Sequence, residues 1–321
     1  MFENFKVFET TLAGRPLKVE VGKMAGLANG SCLMRYGDTA VLCTATMSEK
    51  PRDGIDFFPL SVDFEEKLYA AGKIPGSFMK REGRPSEKAI LASRVIDRPM
   101  RPLFPKDMRN DVCIVCTVLS SDQDFLPEIV AMNGASIAVA ISDIPWNGPI
   151  AAMSVGLVDG EVVMNPTEEQ RKVSDLALTV ASTCDKVAMI EAGANEVDNA
   201  LMYKALMAAH DENVKMVAFI DDLRLKVGLP KVPFESMALN KDFLAEYEAF
   251  AWDMIKDALF TDDKKVRDER LSVVAAKARE HFGEEITNAM LADAIYQTQK
   301  HVVRRSLLDD GARVDGRGLM D

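Results

Sequence analysis

The first 228 residues alternate between short segments with β-strand patterns and segments with a helical apolar period. Apolar alternation or short apolar runs predict strands, and apolar residues three to four apart predict helices. The predicted strands are 17–21, 31–36, 39–47, 112–120, 151–158, 161–164, 176–182 and 186–191. The predicted helices are 87–97, 127–142 and 197–213. This order predicts an α+β domain of mixed sheets with packed helices.

Residues 235–308 have a different pattern from the rest of the chain. They contain one glycine and no proline, and their apolar residues recur at helical spacing. A Pro-rich segment, Leu229-Pro230-Lys231-Val232-Pro233, separates them from the residues before. We therefore predict domains at 1–230 and 235–308, the second a small all-α domain, followed by a linker at 309–321. The apolar stripes indicate a helical core rather than a cofactor site.

Positive charge is concentrated in one part of an acidic chain. The net charge is −11, whereas residues 73–109 carry ten Lys or Arg against four acids. Such a localised field favours one anionic partner at one place. A solvated charged face is the simpler interpretation of a charge run, but here the arrangement of the cations is more specific.

An aromatic residue stands beside cations in a segment predicted to be a loop. Phe78 and Met79 directly precede Lys80 and Arg81, between Pro75-Gly76 and Gly83-Arg84-Pro85. Exposed rings stack on bases while cations contact phosphates, which is typical of single-stranded nucleic-acid binding. The sequence therefore predicts a nucleic-acid contact here.

The basic segment continues into a predicted helix. Ser86 is the expected N-cap, Pro99 is expected to end the helix, and Ile90, Leu91 and Val95 are expected to face inward. Arg94 and Arg98 would then lie on one face, with Arg101 just beyond. Three arginines within eight residues favour phosphate contacts over structural ion pairs.

These motifs resemble the first core domain of bacterial polynucleotide phosphorylases, the polyribonucleotide nucleotidyltransferases. In that family a loop of two aromatics and two arginines precedes the motif found here as 82–87, Glu-Gly-Arg-Pro-Ser-Glu. Asn133-Gly134-Ala135-Ser136 is also similar to the family. In this chain Met79 replaces one aromatic, and a thioether stacks less well on a base. The resemblance specifies the fold as ribonuclease-PH-like.

The resemblance also implies a function. The family degrades RNA from 3′ to 5′ by phosphorolysis, with inorganic phosphate as co-substrate and Mg²⁺ as cofactor, and releases nucleoside diphosphates. It implies a ring of three subunits whose channel entrance is lined by the loop, and possible partners in RNA-degradation complexes. The RNA-binding residues predicted in this half are Phe78, Met79, Lys80, Arg81, Arg84, Arg94, Arg98 and Arg101.

The same resemblance places the catalytic groups elsewhere. Arg313-Val314-Asp315-Gly316-Arg317 is similar to the motif that opens a second core, so we expect a truncated piece. The family's phosphate-binding serines and its two Asp and one Lys around the metal belong to that second core. When the second core is aligned with this first core, the serine pair corresponds to Pro127-Glu128. The two Asp and the Lys correspond to Arg171, Ala177 and Thr179. We therefore predict no catalytic or metal-binding residue in this chain.

Composition excludes several other classes of protein. No apolar run approaches the roughly 18 residues that a membrane-spanning helix needs. The N-terminus lacks the apolar region of a signal peptide, and five cysteines without framework spacing suggest reduced thiols in a cytoplasm. Cys113 and Cys116 have metal-knuckle spacing, but their apolar neighbours predict a buried strand.

Two alternative functions stay open at this stage. One is a stand-alone phosphorolytic exoribonuclease. It needs a pocket for phosphate and metal, and the alignment above leaves this core without the serines, Asp and Lys of that pocket. The other is a non-catalytic scaffold that docks a second core or other RNA-decay proteins. Ser120-Ser121 is a second serine pair that could hold an anion, but turn chemistry explains it and is the favoured interpretation.

Overall fold

The computed structural model describes residues 3–52, 54–76, 78, 80–283 and 286–321. The chain divides into two compact units, Met1–Ser236 and Met237–Asp321. The predicted domain limits at 230, 235 and 308 remain predictions.

The first unit contains a six-stranded sheet in the order β1-β2-β3-β4-β6-β5. Neighbouring strands are antiparallel except β5 and β6, which are parallel. The strands are β1 Lys6–Leu12, β2 Arg15–Val21, β3 Gly30–Tyr36, β4 Thr39–Pro51, β5 Leu60–Glu66 and β6 Asn110–Ser120.

A second, antiparallel sheet has four strands in the order β10-β9-β7-β8. Its strands are β7 Ala151–Val158, β8 Glu161–Met164, β9 Leu176–Ser182 and β10 Val187–Ala194. The helices of this unit are α1 Glu87–Met100, α2 Pro127–Ile141, α3 Glu168–Val173 and α4 Asn199–Val227. Mixed sheets with packed helices are the predicted α+β class, which is confirmed.

Helix α2 forms the centre of the first unit and is buried along almost its whole length. It packs against β3, β4 and β6 of the first sheet and against β7 and α4. Two glycines allow this close packing. A Cβ on Gly134 would lie 2.6 Å from Cys43 Sγ, and one on Gly30 would lie 2.1 Å from the carbonyl oxygen of Ala138.

Most predicted strands are confirmed, but β5 was not predicted. Its sequence, Leu-Ser-Val-Asp-Phe-Glu-Glu, carries three carboxylates and lies at the sheet edge, where only β6 pairs with it. An edge strand with one solvated face has no continuous apolar run to reveal it. The buried-strand interpretation of Cys113 and Cys116 is confirmed, because both lie in β6 and Cys116 is fully buried. All five cysteines are free.

The second unit is helical, as predicted. It consists of α5 Lys241–Leu259, α6 Lys264–Phe282 and α7 Asn288–Asp309. Its core includes Tyr247, Ile255 and Leu291, and burial raises the pKa of Tyr247 to about 12. None of the helices in the described part of the chain is both long and apolar enough to cross a membrane.

The segment after α4 closes the C-terminal end of α2. Lys231 Nζ donates to the carbonyls of Val139, Ala140 and Ser142 at 2.8, 3.1 and 2.7 Å. A helix end leaves its last carbonyls without partners, and a cation there also meets the negative end of the helix dipole. Burial, followed by the nearby Arg224 charge, lowers the pKa of Lys231 to about 8. Lys231 therefore anchors the chain to the central helix.

We expect Lys231→Met to destabilise the protein by about 2 kcal/mol at pH 7, because three helix-end carbonyls lose their donor. The folded-state pKa lies below the ordinary value of 10.5, so the unfolded state binds more protons between the two values. Stability relative to the methionine variant should therefore rise as pH increases from about 8 towards 10. Urea unfolding across that range measures this, and a pH-independent difference between the two proteins would contradict the lowered pKa.

Candidate nucleic-acid interface

The basic loop, defined here as residues 72–86, connects β5 to α1. It follows a 3-10 turn at Leu68–Ala71, and Gly72 leaves that turn with a φ of 68°. Pro75, Gly83 and Pro85 interrupt regular structure within the loop. Ser86 ends it by accepting a hydrogen bond from the amide of Ala89, as an N-cap does. The loop is therefore held at both ends.

Phe78 is 98% exposed within the basic loop. A phenylalanine buries its ring in most folds because of the large apolar area that it carries. Here the ring of Phe78 lies in solvent rather than in the core. Met79 lies outside the described residues. The exposed position of Phe78 makes its ring available for stacking on a base.

The cations of the basic loop form no ion pair with a described residue. Lys80, Arg81 and Arg84 are exposed, and none forms a salt bridge within the part of the chain that the structure describes. The one acid of the loop, Glu82, instead accepts a hydrogen bond from the amide of Leu68 at 3.0 Å. Its carboxylate therefore holds the loop to the 3-10 turn, and no described acid neutralises the positive charge of the loop by a direct contact.

A cavity of about 460 Å³ lies beside the basic loop, between the 3-10 turn and the first turn of α1. Arg84 and Ser121 are among its lining residues, so the cavity includes one member of the second serine pair. Its three cations, Lys67, Lys73 and Arg84, face three carboxylates, Glu65, Glu66 and Glu82. With balanced charges, this cavity does not have the electrostatic character of a phosphate pocket.

Helix α1 extends three residues beyond its predicted end. Pro99 does not end the helix but is buried in its last turn, where the missing amide removes only one helical hydrogen bond. The predicted inward face was wrong for Ile90 and Leu91 but right for Val95, which is partly buried and packs against the core. Ile90 and Leu91 are 50% and 60% exposed, and the buried residues are Ala89, Ala92, Ile96, Pro99 and Met100. The small alanines let the helix pack closely on β5, which turns the larger side chains outward.

The three arginines of this region have different surroundings. Arg94 is exposed and has no hydrogen-bond or salt-bridge partner among the described residues. Arg98 forms an exposed salt bridge with Glu191 of β10 at 3.1 Å. An exposed pair of this kind contributes little to stability, so Arg98 can exchange its partner at small cost.

Arg101 has a structural role in this fold. Its guanidinium binds both carboxylate oxygens of Asp97 at 2.9 and 2.7 Å. It also donates to the carbonyl oxygens of Phe58 and Leu60, at 3.4 and 3.0 Å. These bonds tie the end of α1 to the start of β5 and occupy most of the five donors. Arg101 is therefore the arginine least available to a phosphate group.

The positions predicted to correspond to the family's catalytic groups do not fit phosphate or a metal. Pro127 opens α2 and has no amide hydrogen to donate. Glu128 follows it, and its Oε2 is buried without a hydrogen-bond partner among the described residues. A carboxylate at that place repels a second anion. Within the described ranges, no group of three or more His, Cys, Asp or Glu side chains could hold a metal ion.

The residues at the other three positions of that alignment take part in the hydrogen bonding of the fold itself. Arg171 donates to the carbonyls of Pro166, at 2.7 Å, and Gln123. Ala177 and Thr179 lie in β9, between β7 and β10. None of these residues presents a carboxylate or an ammonium group, so no catalytic step can be assigned to them.

Comparisons with known proteins agree with the fold and the motifs. Residues 13–145 match domain 1 of the 3′ exoribonuclease family, and residues 148–212 match its domain 2. Residues 243–318 match the polyribonucleotide nucleotidyltransferase RNA binding domain. Polyribonucleotide nucleotidyltransferases of Ruminiclostridium cellulolyticum and Lachnoclostridium phytofermentans are 52% and 54% identical to this chain over 98% of its length. The chain belongs to the polyribonucleotide nucleotidyltransferase family.

Membership of the polyribonucleotide nucleotidyltransferase family confirms the resemblance seen in the sequence. The chain spans less than half the length of these relatives, 45% and 46% respectively. The fold is also similar to the crystal structure of rice Rrp46, with a TM-score of 0.50. At 12% identity, over 70% of this chain and 94% of that one, this likeness concerns the fold alone.

One part of the family description was missed by sequence reasoning. The sequence predicted RNA contacts only in the basic loop and α1, whereas the matched RNA binding domain covers the helical unit. The apolar periodicity of that unit led us to predict a helical core there and no RNA contact.

Proposed function

We propose that this chain is the RNA-capturing half of a polyribonucleotide nucleotidyltransferase. The complete reaction would be 3′-to-5′ phosphorolysis. Inorganic phosphate would attack the phosphorus of the terminal phosphodiester, the 3′ oxygen of the shortened RNA would leave, and the terminal nucleotide would be released as a nucleoside diphosphate. The observation that carries this proposal is the basic loop, where an exposed Phe78 lies among Lys80, Arg81 and Arg84, none of them ion-paired with a described residue. A ring and unpaired cations on one loop suit a flexible polyanion with stackable bases.

The proposed RNA path runs from the basic loop along α1. Phe78 and Met79 would stack on bases, while Lys80, Arg81 and Arg84 would contact phosphates. Arg94 would continue the path, and Arg98 would join it by releasing Glu191. Arg101 would contribute least, because Asp97 and two carbonyls already bind its guanidinium. In a homotrimer, three copies of the loop would line one channel entrance and raise the affinity through avidity.

We place the reacting phosphate and Mg²⁺ outside this half of the enzyme. Support comes from Pro127 and Glu128, which offer no amide or hydroxyl pair and add a negative charge. Mg²⁺ would supply charge neutralisation at the reacting phosphate when bound. We also propose that the two compact units correspond to the predicted core and helical domains. The five free thiols support a cytoplasmic location.

Binding and product release, measured on the same preparation, test this function. We expect the 321-residue chain to bind a fluorescent 20-nucleotide oligoadenylate and to release no ADP from it when phosphate and Mg²⁺ are added. Phosphate-dependent ADP release would show instead a stand-alone phosphorolytic exoribonuclease. A correctly folded chain that binds no RNA would favour the non-catalytic scaffold, with docking of a second core or of RNA-decay proteins as its role.

A further inference from the structure

We propose that Glu82 is a positioning residue for RNA capture, which holds the ring and the cations of the basic loop in their binding arrangement. It acts through the hydrogen bond between its carboxylate and the amide of Leu68, and not by touching RNA. This inference rests on the proposed function and goes beyond it, because it assigns a role in binding to the one acid of the loop.

The carboxylate of Glu82 caps the 3-10 turn that precedes the basic loop. The first amides of a helical turn have no acceptor within the turn, and Lys67 at the N-cap position makes no capping hydrogen bond through its side chain. Glu82 accepts from the amide of Leu68, the first residue of the turn, at 3.0 Å. An ionised acceptor makes such a bond stronger than a neutral one does. The cap is therefore supplied by a residue fourteen positions later in the chain.

The 3-10 turn is joined to the first sheet. The amide of Ser121, the residue after β6, donates to the carbonyl oxygen of Ala70 at 3.2 Å. The amide of Lys73 donates to the carbonyl oxygen of Leu68 at 2.9 Å. Since these bonds fix the turn, the bond from Leu68 to Glu82 also fixes the second half of the basic loop.

Little else holds the second half of the basic loop. Among the described residues, the bond from Leu68 to Glu82 is the one hydrogen bond between residues 74–85 and the rest of the chain, and no salt bridge joins them. Gly83, Arg84 and Pro85 border the cavity of about 460 Å³. Open space offers no atoms to pack against. The position of the loop therefore depends on Glu82.

The negative charge of Glu82 opposes RNA binding. Glu82 stands next to Arg81 and two residues from both Lys80 and Arg84, so it lowers the positive potential that a polyanion meets. If charge alone determined the affinity, removal of this carboxylate would strengthen binding. A positioning role predicts the opposite, because a loop that is not pre-organised must be ordered at the moment of binding, which costs affinity.

Fluorescence anisotropy on the full chain, with a labelled 20-nucleotide oligoadenylate at 0.1 M salt, tests this role. We expect Glu82→Ala to weaken binding about five-fold although the variant is more positive by one charge, because ordering the loop then costs affinity. Glu82→Gln should bind at least as tightly as the unchanged chain, since its amide oxygen still accepts a hydrogen bond and its charge is gone. The glutamine variant therefore separates the hydrogen bond from the charge.

Amide hydrogen exchange reports the hydrogen bond to Glu82 in the absence of RNA. We expect the Leu68 amide to exchange about five-fold faster in Glu82→Ala, because local opening governs the exchange of such an amide. The rate in Glu82→Gln should equal that of the unchanged chain. The midpoint of urea unfolding should be the same in all three proteins, since Glu82 is exposed and most exposed substitutions change stability little.

The matched control is Glu87→Ala, which removes the same charge at the start of α1. Glu87 is exposed, and its carboxylate has no hydrogen-bond or salt-bridge partner among the described residues. We expect this variant to change RNA affinity less than about two-fold, since salt screens an exposed charge. Glu87 therefore tests the effect of charge without the bond to the turn.

Two results would overturn the role of Glu82 and leave the proposed function intact. One is Glu82→Ala binding RNA as tightly as Glu87→Ala, because affinity would then follow charge alone. The other is Glu82→Gln binding as weakly as Glu82→Ala, because the hydrogen-bond acceptor would then not be what matters. An unchanged chain that binds no RNA would overturn the proposed function itself, and this role with it.

Discussion

Replacing Phe78 by alanine should weaken binding of single-stranded RNA by about ten-fold, within the range for one base–aromatic stack. The ring is 98% exposed, so its loss removes a binding contact without opening a cavity in the core. Arg81→Ala should also weaken binding and should reduce the salt slope by about 0.7, because one phosphate contact is lost. Titrations by fluorescence anisotropy at several salt concentrations separate these two effects.

The matched control for the basic loop lies on α4. Tyr203 and Lys204 are also an exposed aromatic residue beside an exposed cation, but they are far along the chain from the loop. Tyr203→Ala/Lys204→Ala should leave RNA affinity within two-fold of the unchanged chain. If the α4 variant lost as much affinity as Phe78→Ala/Arg81→Ala, or if the loop variant lost none, the loop assignment would be wrong.

A second large effect is expected for stability. Gly30→Ala should lower the free energy of unfolding of the first unit by about 3 kcal/mol, the upper part of the range for overpacking. The added Cβ would lie 2.1 Å from the carbonyl oxygen of Ala138 and 2.8 Å from Cβ of Ser142. Both atoms belong to the end of the buried helix α2, which cannot move aside without disturbing the sheet beneath it.

The unfolding of each unit can be followed separately because the chain has two tryptophans, Trp146 in the first unit and Trp252 in the second. In a Trp252→Phe background, fluorescence during urea unfolding reports the first unit alone. Gly26→Ala is the control, since a Cβ there meets nothing within 4 Å, and it should change stability by less than about 0.5 kcal/mol. Equal stabilities of the two variants would show that the sheet and α2 can separate easily.

The sequence predicted the elements of the fold better than the faces that they bury. Strands such as Ala151–Val158 and Leu176–Ser182 match the predicted bounds, because apolar runs are a local signal. Helix α4 extends to Val227, well beyond its predicted end at 213. Its later turns are covered from one side only, so charged residues interrupt their apolar pattern there. The length of an element was therefore harder to predict than whether it is a helix or a strand.

The sequence likewise predicted only part of the candidate site. Local sequence was enough to predict that Phe78 lies on an exposed loop, because Pro75, Gly76 and Gly83 exclude regular structure whatever surrounds them. It was not enough to distinguish Arg94 from Arg101. Both were predicted as phosphate contacts, yet Arg101 binds the carbonyls of Phe58 and Leu60, more than 40 residues earlier in the chain.

The sequence by itself determined the family, the basic loop and the spacing of cations along α1, since these depend on residue order and helical period alone. Only the tertiary structure decided which of these cations have a partner among the described residues and which have none. The partners of Arg98 and Arg101 come from β10 and from the start of β5, which folding brings to α1 from distant parts of the chain. Arg94 meets no such partner among the described residues. A charge is neutralised by what lies near it in space, and sequence reports only what lies near it along the chain.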